Sequence, residues 1–273
     1  MSRDWLTVRH GDAPLLITIP HAGTVIPDAI EAQFVSPWLA RKDADWWIDR
    51  LYAFAAELDA TIVSTAISRS VIDVNRDPSG ASLYPGQATT ELCPTTTFDG
   101  EPLYRAGMVP DDAAVTGRKG RWFAPYHAAI ERELARLRGM HDRVVIYDAH
   151  SIRSHVGRLF DGELPQFNIG TNGGTTCATA LRDRVAAICA DSGHSHVVDG
   201  RFRGGWTTRA YGRPPNGIHA IQMELAMRGY LAEPDDFTPA NWPAPIGPQA
   251  DTLRPTLRNI LQECIDWTRS PDA

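Results

Sequence analysis

The run VVIYDAHS at residues 144–151 limits the fold of this chain more than any other stretch. Its first four residues are β-branched or aromatic, as in a strand that is buried on both faces of a parallel sheet. Open α/β sheets place their sites at the carboxyl ends of such strands. The run therefore predicts an α/β fold, with His150 as the first candidate for chemistry. A single His after a strand is commonly a hydrogen-bonded structural residue, so this assignment needs partner residues elsewhere in the chain.

A second imidazole follows a second apolar run. Leu15–Ile19 is a continuous strand signal, and it stops at a turn that contains Pro20 and His21. His21 and His150 thus both follow apolar strands. They can converge on one site only if the two strands are neighbours in one sheet.

A helical pattern begins at about residue 43, directly after two acids. Asp43 and Asp45 at the start of a helix would ordinarily cap it and interact with its dipole. Alternatively, one of them is an oxygen ligand to a metal held by His21 and His150. The apolar residues that recur at the spacing of one helix face are Trp47, Leu51, Phe54 and Leu58.

The segment from Arg69 to Arg76 mixes buried aliphatic residues with hydrogen-bonding groups. Arg69, Asn75 and Arg76 could bind a substrate, because a guanidinium binds a carboxylate in bidentate fashion and an amide offers both a donor and an acceptor. An internal network of Arg69 and Asp73 explains the same residues without a ligand. The sequence leaves both interpretations open.

Residues 220–225 alternate between apolar and polar side chains, which predicts a strand that carries Glu224 on its polar face. A carboxylate embedded in a strand is costly unless it is paired or used. Glu224 is therefore the candidate general base, and a salt-bridged sheet residue is the alternative. Before this strand, residues 204–212 have the small, Gly-rich character of a substrate loop.

Length and composition indicate one domain and an ordinary globular protein. The 273 residues suffice for one sizeable core, and we expect a single domain, 1–273, with a long active-site loop at about 79–120. A formal charge of −6 without a Lys/Arg block argues against nucleic-acid partners. The four cysteines form no CxxC pair, and no apolar run is long enough for a membrane span. We expect no membrane partner and a cytoplasmic protein with reduced thiols; the oligomeric state is not encoded in any recognisable feature.

The chain contains six short motifs whose order along the sequence resembles that of the N-formylglutamate amidohydrolase (deformylase) family, over about residues 15–230. Each is weak alone, but their common order is specific. The family is related to the zinc-carboxypeptidase and aspartoacylase-like hydrolases. The resemblance therefore implies a three-layer α/β/α fold with a mixed central sheet, zinc-carboxypeptidase-like, and one divalent metal ion, with zinc expected. The motifs are PHAG at 20–23, DADW at 43–46, DVNR at 73–76, YDAHS at 147–151, GGWTTR at 204–209 and QMEL at 222–225.

The resemblance also implies roles for individual residues. In the wider group a carboxylate ligand follows the first His closely, whereas here no acid lies between His21 and Asp28. The predicted ligands are therefore His21, His150 and Asp45, with Asp43 as the alternative third ligand. Two His and one carboxylate leave a zinc coordination position open for water. Glu224 would be the general base that acts on this water.

The substrate implied by the resemblance is a small N-acyl amino acid, N-formyl-L-glutamate, hydrolysed to formate and L-glutamate as in histidine degradation. Arg69, Asn75 and Arg76 are predicted to hold the α-carboxylate and the scissile amide, and Arg76 also to stabilise the oxyanion. Arg209 is predicted to bind the side-chain carboxylate, and Thr207 is a further predicted substrate-binding residue. Two alternatives stay open. One is a related metal amidohydrolase with another acyl or amino-acid substrate, and the other is a non-catalytic amino-acid-binding protein.

Overall fold

The computed structural model describes residues 4–270 and is built around one mixed seven-stranded sheet. The strand order is β1-β3-β2-β4-β7-β5-β6. Neighbours run parallel except β1 on β3 and β5 on β7, which are antiparallel. The strands are β1 (Leu6–Arg9), β2 (Leu15–Ile19), β3 (Thr61–Thr65), β4 (Val144–Ile152), β5 (Phe167–Gly170), β6 (His196–Val198) and β7 (Ile218–Ala226). The predicted mixed sheet is confirmed, with β4 at its centre.

Every residue of β2 and β4 is buried, because helices cover both faces of the sheet. Successive side chains of a strand point to opposite faces. Accordingly, Val145 and Tyr147 pack in one core, and Val144 and Ile146 pack in the other. The continuous apolar runs that predicted these strands reflect this two-sided burial.

Helices form the outer two layers. α6 and α8 pack in the same core as Tyr147, and α5 packs in the opposite core through Ile130, Leu134 and Leu137. The helices are α1 (Asp28–Glu31), α2 (Leu39–Lys42), α3 (Ile48–Leu51), α4 (Asp112–Arg118), α5 (Ala124–Arg138), α6 (Thr179–Asp191), α7 (Trp206–Tyr211) and α8 (Gln249–Arg269). 3₁₀ helices occur at Ala53–Leu58, Pro214–Asn216 and Met227–Gly229, and a π-helical turn at Lys119–Phe123. The three-layer α/β/α prediction is therefore confirmed.

The predicted helix from about residue 43 is wrong in its first part. Asp43 is the residue after α2, and Trp47 has a left-handed backbone with φ 61° before the short helix α3 begins. The reason is a tertiary bond, since the Asp45 amide donates to the His21 carbonyl at 3.0 Å. This bond ties the segment to the end of β2 ahead of α3, whose N-cap is Trp47, so neither acid is the N-cap of the predicted helix.

Two predicted loops contain helices. Residues 79–111 are irregular apart from isolated bridges, but α4 begins at Asp112 because the Asp111 side chain accepts the Ala114 amide at 2.8 Å. The segment 204–212, predicted as a flexible loop, contains α7. No helix within residues 4–270 is both long and apolar enough to cross a membrane.

Candidate metal centre and substrate cavity

The two candidate histidines meet at the ends of adjacent strands. β2 pairs with β4 in parallel, so His21, just after β2, lies beside His150 near the end of β4. Their ring centroids are 4.8 Å apart, and both side chains are buried. The condition that the sequence left open, that these strands are neighbours, is confirmed.

Asp45, rather than Asp43, joins the two imidazoles. Its Oδ2 lies 3.1 Å from His150 Nδ1 and 3.8 Å from His21 Nδ1. One ligand atom from each of these three residues lies within 4.8 Å of the others. Asp43 is committed elsewhere, since it accepts hydrogen bonds from Arg153 Nη2 at 3.0 Å and from the Phe98 amide at 2.6 Å. Of the two acids that the sequence offered, Asp45 is therefore the one whose geometry suits a ligand.

His21 presents an unused nitrogen to this cluster. Its Nε2 donates to Asp73 Oδ1 at 2.7 Å, and its Nδ1 is buried without a hydrogen-bond partner. Burial and the nearby Arg69 guanidinium lower the pKa of the ring, which favours the neutral form with a lone pair on Nδ1. An orphaned buried acceptor beside a carboxylate fits a cation, because a bound ion would satisfy it.

His150 is held by carboxylates on both nitrogens. Nε2 lies 3.0 Å from Asp148 Oδ2 and 2.8 Å from Asn75 Nδ2, and Nδ1 donates to Asp45 Oδ2 at 3.1 Å. Burial opposes protonation of the ring, but the Asp148 and Asp45 carboxylates outweigh it and raise the pKa of His150. A metal ion would replace the Nδ1 proton and leave the Asp148 bond intact.

The cluster thus has the donor set of a zinc site with its supporting carboxylates. Asp73 orients His21 and Asp148 orients His150, so that both Nδ1 atoms face Asp45. Metal-binding imidazoles characteristically donate their other N–H to such a carboxylate. Two imidazole nitrogens and one carboxylate oxygen suit zinc and leave room for a further ligand.

Asn75 fixes the arrangement by using its whole amide. Nδ2 donates to Asp148 Oδ2 at 2.9 Å and lies 2.8 Å from His150 Nε2, and Oδ1 accepts the Thr207 amide at 2.8 Å. A Cβ on Gly205 would lie 2.4 Å from Asn75 Nδ2, so only glycine permits this approach. Asn75 therefore contacts the His150 ring and also lines the cavity, and its predicted contact with substrate stays a prediction.

A cavity opens beside the cluster and is bordered by the predicted base. Glu224 is the cross-strand neighbour of His150 in the β4–β7 pair, and its side chain is buried. Burial raises the pKa of its carboxyl group, as do the nearby Asp45 and Asp148 carboxylates. The cavity is lined by residues from strands β4 and β7 and from the segments 69–76, 84–98 and 201–205, together with His21 and Leu159. Its polar lining includes Arg69, Arg76, Tyr84, Arg201, Gln222 and Glu224.

The two arginines of the 69–76 segment differ in their partners. Arg69 is buried and ion-paired, with Nη2 2.7 Å from Asp73 Oδ2 and Nη1 3.5 Å from Asp45 Oδ1. The internal network that the sequence allowed is therefore present. Arg76 donates to Thr90, from Nε to the carbonyl at 3.2 Å and from Nη2 to the hydroxyl at 3.1 Å, and lies 3.6 Å from Asp73. Both guanidinium groups line the cavity.

The structure does not bring Thr207 and Arg209 to the cavity wall. Thr207 is buried on α7, and its hydroxyl has no hydrogen-bond partner. Arg209 donates from Nε to the Gly204 carbonyl at 2.8 Å and lies over the Tyr84 ring at 5.0 Å from its centroid. Neither is among the residues that line the cavity. Their predicted contact with substrate has no geometric support here and stays a prediction.

Three residues of the site received no role from the sequence. Asp148 lies two positions before His150 on β4, a spacing that puts both side chains on the same side of a strand, so this signal was readable. Asp73 becomes a partner of His21 only through tertiary structure. Arg201 lies in a segment without periodicity, where nothing in the sequence distinguishes it from its neighbours Arg203 and Arg209.

The class of the protein follows from its mixed sheet, its His/Asp/His cluster and the adjacent Glu224. It is a hydrolase-type α/β protein with a candidate metal centre. The family follows from comparison with known proteins. A family model described as N-formylglutamate amidohydrolase matches residues 13–231. The chain belongs to this family, as its motifs indicated.

Individual relatives cover nearly the whole chain. It is 44% identical to N-formylglutamate deformylase of Pseudomonas aeruginosa, over 97% of each chain, and 42% identical to the enzyme of the same name from Pseudomonas putida, over 96% of each. Its fold is shared with the crystal structure of N-formylglutamate amidohydrolase from Ralstonia eutropha JMP134, at TM-score 0.80 and 21% identity over 97% of this chain and 98% of that one.

Proposed function

We propose that the protein is a zinc-dependent amidohydrolase that hydrolyses N-formyl-L-glutamate to formate and L-glutamate. The observation that carries this proposal is the orphaned Nδ1 of His21, which lies beside Asp45 and His150 at the edge of a cavity that also contains Glu224. The substrate is supported by the 44% identity to a deformylase of that name over nearly the full chain. The reaction would belong to histidine degradation, for which the cytoplasm is the expected compartment.

His21, Asp45 and His150 would hold the ion through two Nδ1 atoms and one carboxylate oxygen. A zinc ion bound there would supply an electrophile for the formyl oxygen and would lower the pKa of the attacking water. The supporting acids Asp73 and Asp148 keep the imidazole rings turned toward Asp45. This chain's residues thereby supply a rigid, buried set of donors.

Glu224 moves the proton. Its carboxylate would take a proton from water as the oxygen attacks the formyl carbon, and would return it to the amide nitrogen as the C–N bond breaks. Gln222 steadies the carboxylate, with Nε2 3.4 Å from Glu224 Oε2, while its Oε1 accepts the Gly205 amide at 2.6 Å. Arg76 would stabilise the negative charge that develops on the formyl oxygen and, with Arg69, bind the α-carboxylate.

A non-catalytic amino-acid-binding protein would need only the arginines of the cavity. The joint presence of three ligand residues and a buried carboxylate that adjoins them favours the enzyme. A related amidohydrolase with another acyl or amino-acid substrate would use the same site. Only its substrate preference would distinguish it from the proposed enzyme.

The test is formate release from N-formyl-L-glutamate, compared with acetate release from N-acetyl-L-glutamate and formate release from N-formyl-L-leucine. We expect the highest kcat/KM for N-formyl-L-glutamate in the zinc-loaded protein. A higher kcat/KM for N-acetyl-L-glutamate or N-formyl-L-leucine would contradict the proposed substrate and favour a related amidohydrolase with another acyl or amino-acid substrate. Binding of all three without turnover would indicate a binding protein.

A further inference from the structure

Arg201 is a cavity-lining arginine without a carboxylate partner. Its Nε donates to the Leu159 carbonyl at 2.7 Å and its Nη2 to the Ala88 carbonyl at 2.6 Å. Its guanidinium also lies over the Tyr84 ring, 5.4 Å from the centroid. Among the residues that the structure describes, it forms no ion pair with an acid.

This distinguishes Arg201 from the other two arginines of the cavity. Arg69 is ion-paired with Asp73 at 2.7 Å, and Arg76 lies 3.6 Å from the same carboxylate. Arg69 and Arg76 thus each have a carboxylate within ion-pair distance, whereas Arg201 has none among the described residues. Arg201 is half-buried, and burial lowers the pKa of its guanidinium although Tyr84 and Glu224 act in the opposite direction. A guanidinium that is partly removed from water without an ion-paired acid is unfavourable, and a ligand in the cavity can supply the missing anion.

Arg201 is also held differently from the other two arginines of the cavity. Asp73, the partner of Arg69 and Arg76, also accepts from His21 at the metal centre. Arg201 is fixed by the carbonyls of residues 88 and 159, which belong to two loops outside the sheet. If Arg69 and Arg76 bind the α-carboxylate as proposed, Arg201 is the remaining arginine of the described cavity lining for a second carboxylate.

We infer that Arg201 binds the side-chain carboxylate of N-formyl-L-glutamate and so selects an acidic amino-acid substrate. The inference rests on the proposed function and adds a specificity residue to it. The guanidinium is already oriented by two carbonyls and by the aromatic rings of Tyr84 and Phe202, so little side-chain entropy is lost when a carboxylate binds. The sequence assigned this role to Arg209. However, the Arg209 guanidinium donates to the Gly204 carbonyl, and Arg209 is not among the residues that line the cavity.

The test compares substrates with and without the distal charge. kcat/KM is measured for N-formyl-L-glutamate and N-formyl-L-glutamine in the wild type and in Arg201→Gln, which retains hydrogen-bond donors but not the charge. We expect a loss of about 30- to 150-fold for the glutamate substrate and a much smaller loss for the glutamine substrate. Arg201→Lys should recover part of the preference.

Two further variants separate recognition from a structural role. Arg158 is the matched control, because it also donates only to loop carbonyls, those of Phe98 at 2.8 Å and Thr97 at 3.2 Å, and does not line the cavity. Arg158→Gln should affect both substrates equally. An equal loss on both substrates in Arg201→Gln would overturn the inference, since Arg201 would then only hold its loops. A selective loss in Arg209→Gln instead would assign the role to Arg209.

Binding of the product distinguishes failure of this inference from failure of the proposed function. Calorimetry with L-glutamate and L-glutamine needs no turnover, and Arg201→Gln should lose affinity selectively for L-glutamate. A wild type that releases no formate but shows this selective loss would contradict the deformylase function and still support Arg201 as the carboxylate site. Unchanged L-glutamate affinity in Arg201→Gln would contradict the inference whatever the enzyme's activity.

Discussion

Asp73→Asn is expected to weaken zinc binding by about 10- to 100-fold although Asp73 is not a ligand. Asp73 Oδ1 accepts from His21 Nε2 at 2.7 Å and from the Asn75 amide at 2.9 Å, while Oδ2 accepts from Arg69 Nη2 at 2.7 Å. Because Oδ1 accepts two N–H donors, the amide oxygen of the substituted asparagine must occupy the Oδ1 position. Its NH₂ group would then face Arg69, donor against donor.

The consequences for the metal follow from the lost charge. His21 would keep a hydrogen bond but lose a carboxylate that increases its basicity as a ligand. Arg69 would lose its closest ion pair and would retain Asp45, whose Oδ1 lies 3.5 Å from Nη1. If the Arg69 guanidinium is then paired with Asp45 alone, it withdraws electron density from the carboxylate that binds the metal. A 10- to 100-fold weaker affinity corresponds to about 1.4 to 2.8 kcal/mol.

Competition with a chromophoric zinc chelator measures this affinity directly. Asp43→Asn is the matched control, because Asp43 is also a largely buried acid beside an arginine, Arg153, but has no contact with either imidazole. Its zinc affinity should equal that of the wild type. Unchanged affinity in Asp73→Asn, or an equal loss in both variants, would refute the assignment of Asp73 as the residue that orients His21.

The remaining predictions concern the ligands, the base and stability. The double variant His21→Ala/His150→Ala should contain no zinc by elemental analysis, and a full zinc content would exclude these ligands. Glu224→Gln should retain the ion and lower kcat by about 10² or more, whereas loss of the ion would make Glu224 a ligand. His127 donates to the Val74 carbonyl, and burial lowers its pKa to about 4. Because the folded-state pKa lies below the unfolded value of about 6.5, His127 should cost about 2 kcal/mol of stability as pH falls from 7 to 5. In chemical denaturation His127→Gln should lose less stability over that range, and an identical loss would contradict this assignment.

The sheet could be predicted because its signals are local. Leu15–Ile19 and residues 144–147 are almost entirely apolar or aromatic, since both strands are buried on both faces, and a polar residue of the site follows each run. The helix predicted from residue 43 failed for the opposite reason. The bond from the Asp45 amide to the His21 carbonyl joins segments that are 24 residues apart, and no local pattern encodes it.

The candidate site was likewise predictable where its residues belong to strands or directly follow them. His21, His150 and Glu224 follow or belong to strands, so their convergence follows from sheet topology. Of the two acids that support the histidines, Asp148 could be read from its spacing to His150, whereas Asp73 becomes a partner of His21 only through a tertiary contact. The choice between Arg201 and Arg209 depends on how an irregular segment folds over the cavity, and residues 199–209 contain three Gly and three Arg without periodicity. Loops lack the repeated spacing on which sequence-based assignment rests.

Titration of the metal-free protein with zinc, monitored by formate release from N-formyl-L-glutamate, tests the central claim most directly. Protein dialysed against a chelator should be inactive. Activity should then rise linearly with added zinc and reach its plateau at one equivalent per chain, because His21, Asp45 and His150 form one site. Full activity in the metal-free protein, or no activity at any zinc concentration, would contradict the account.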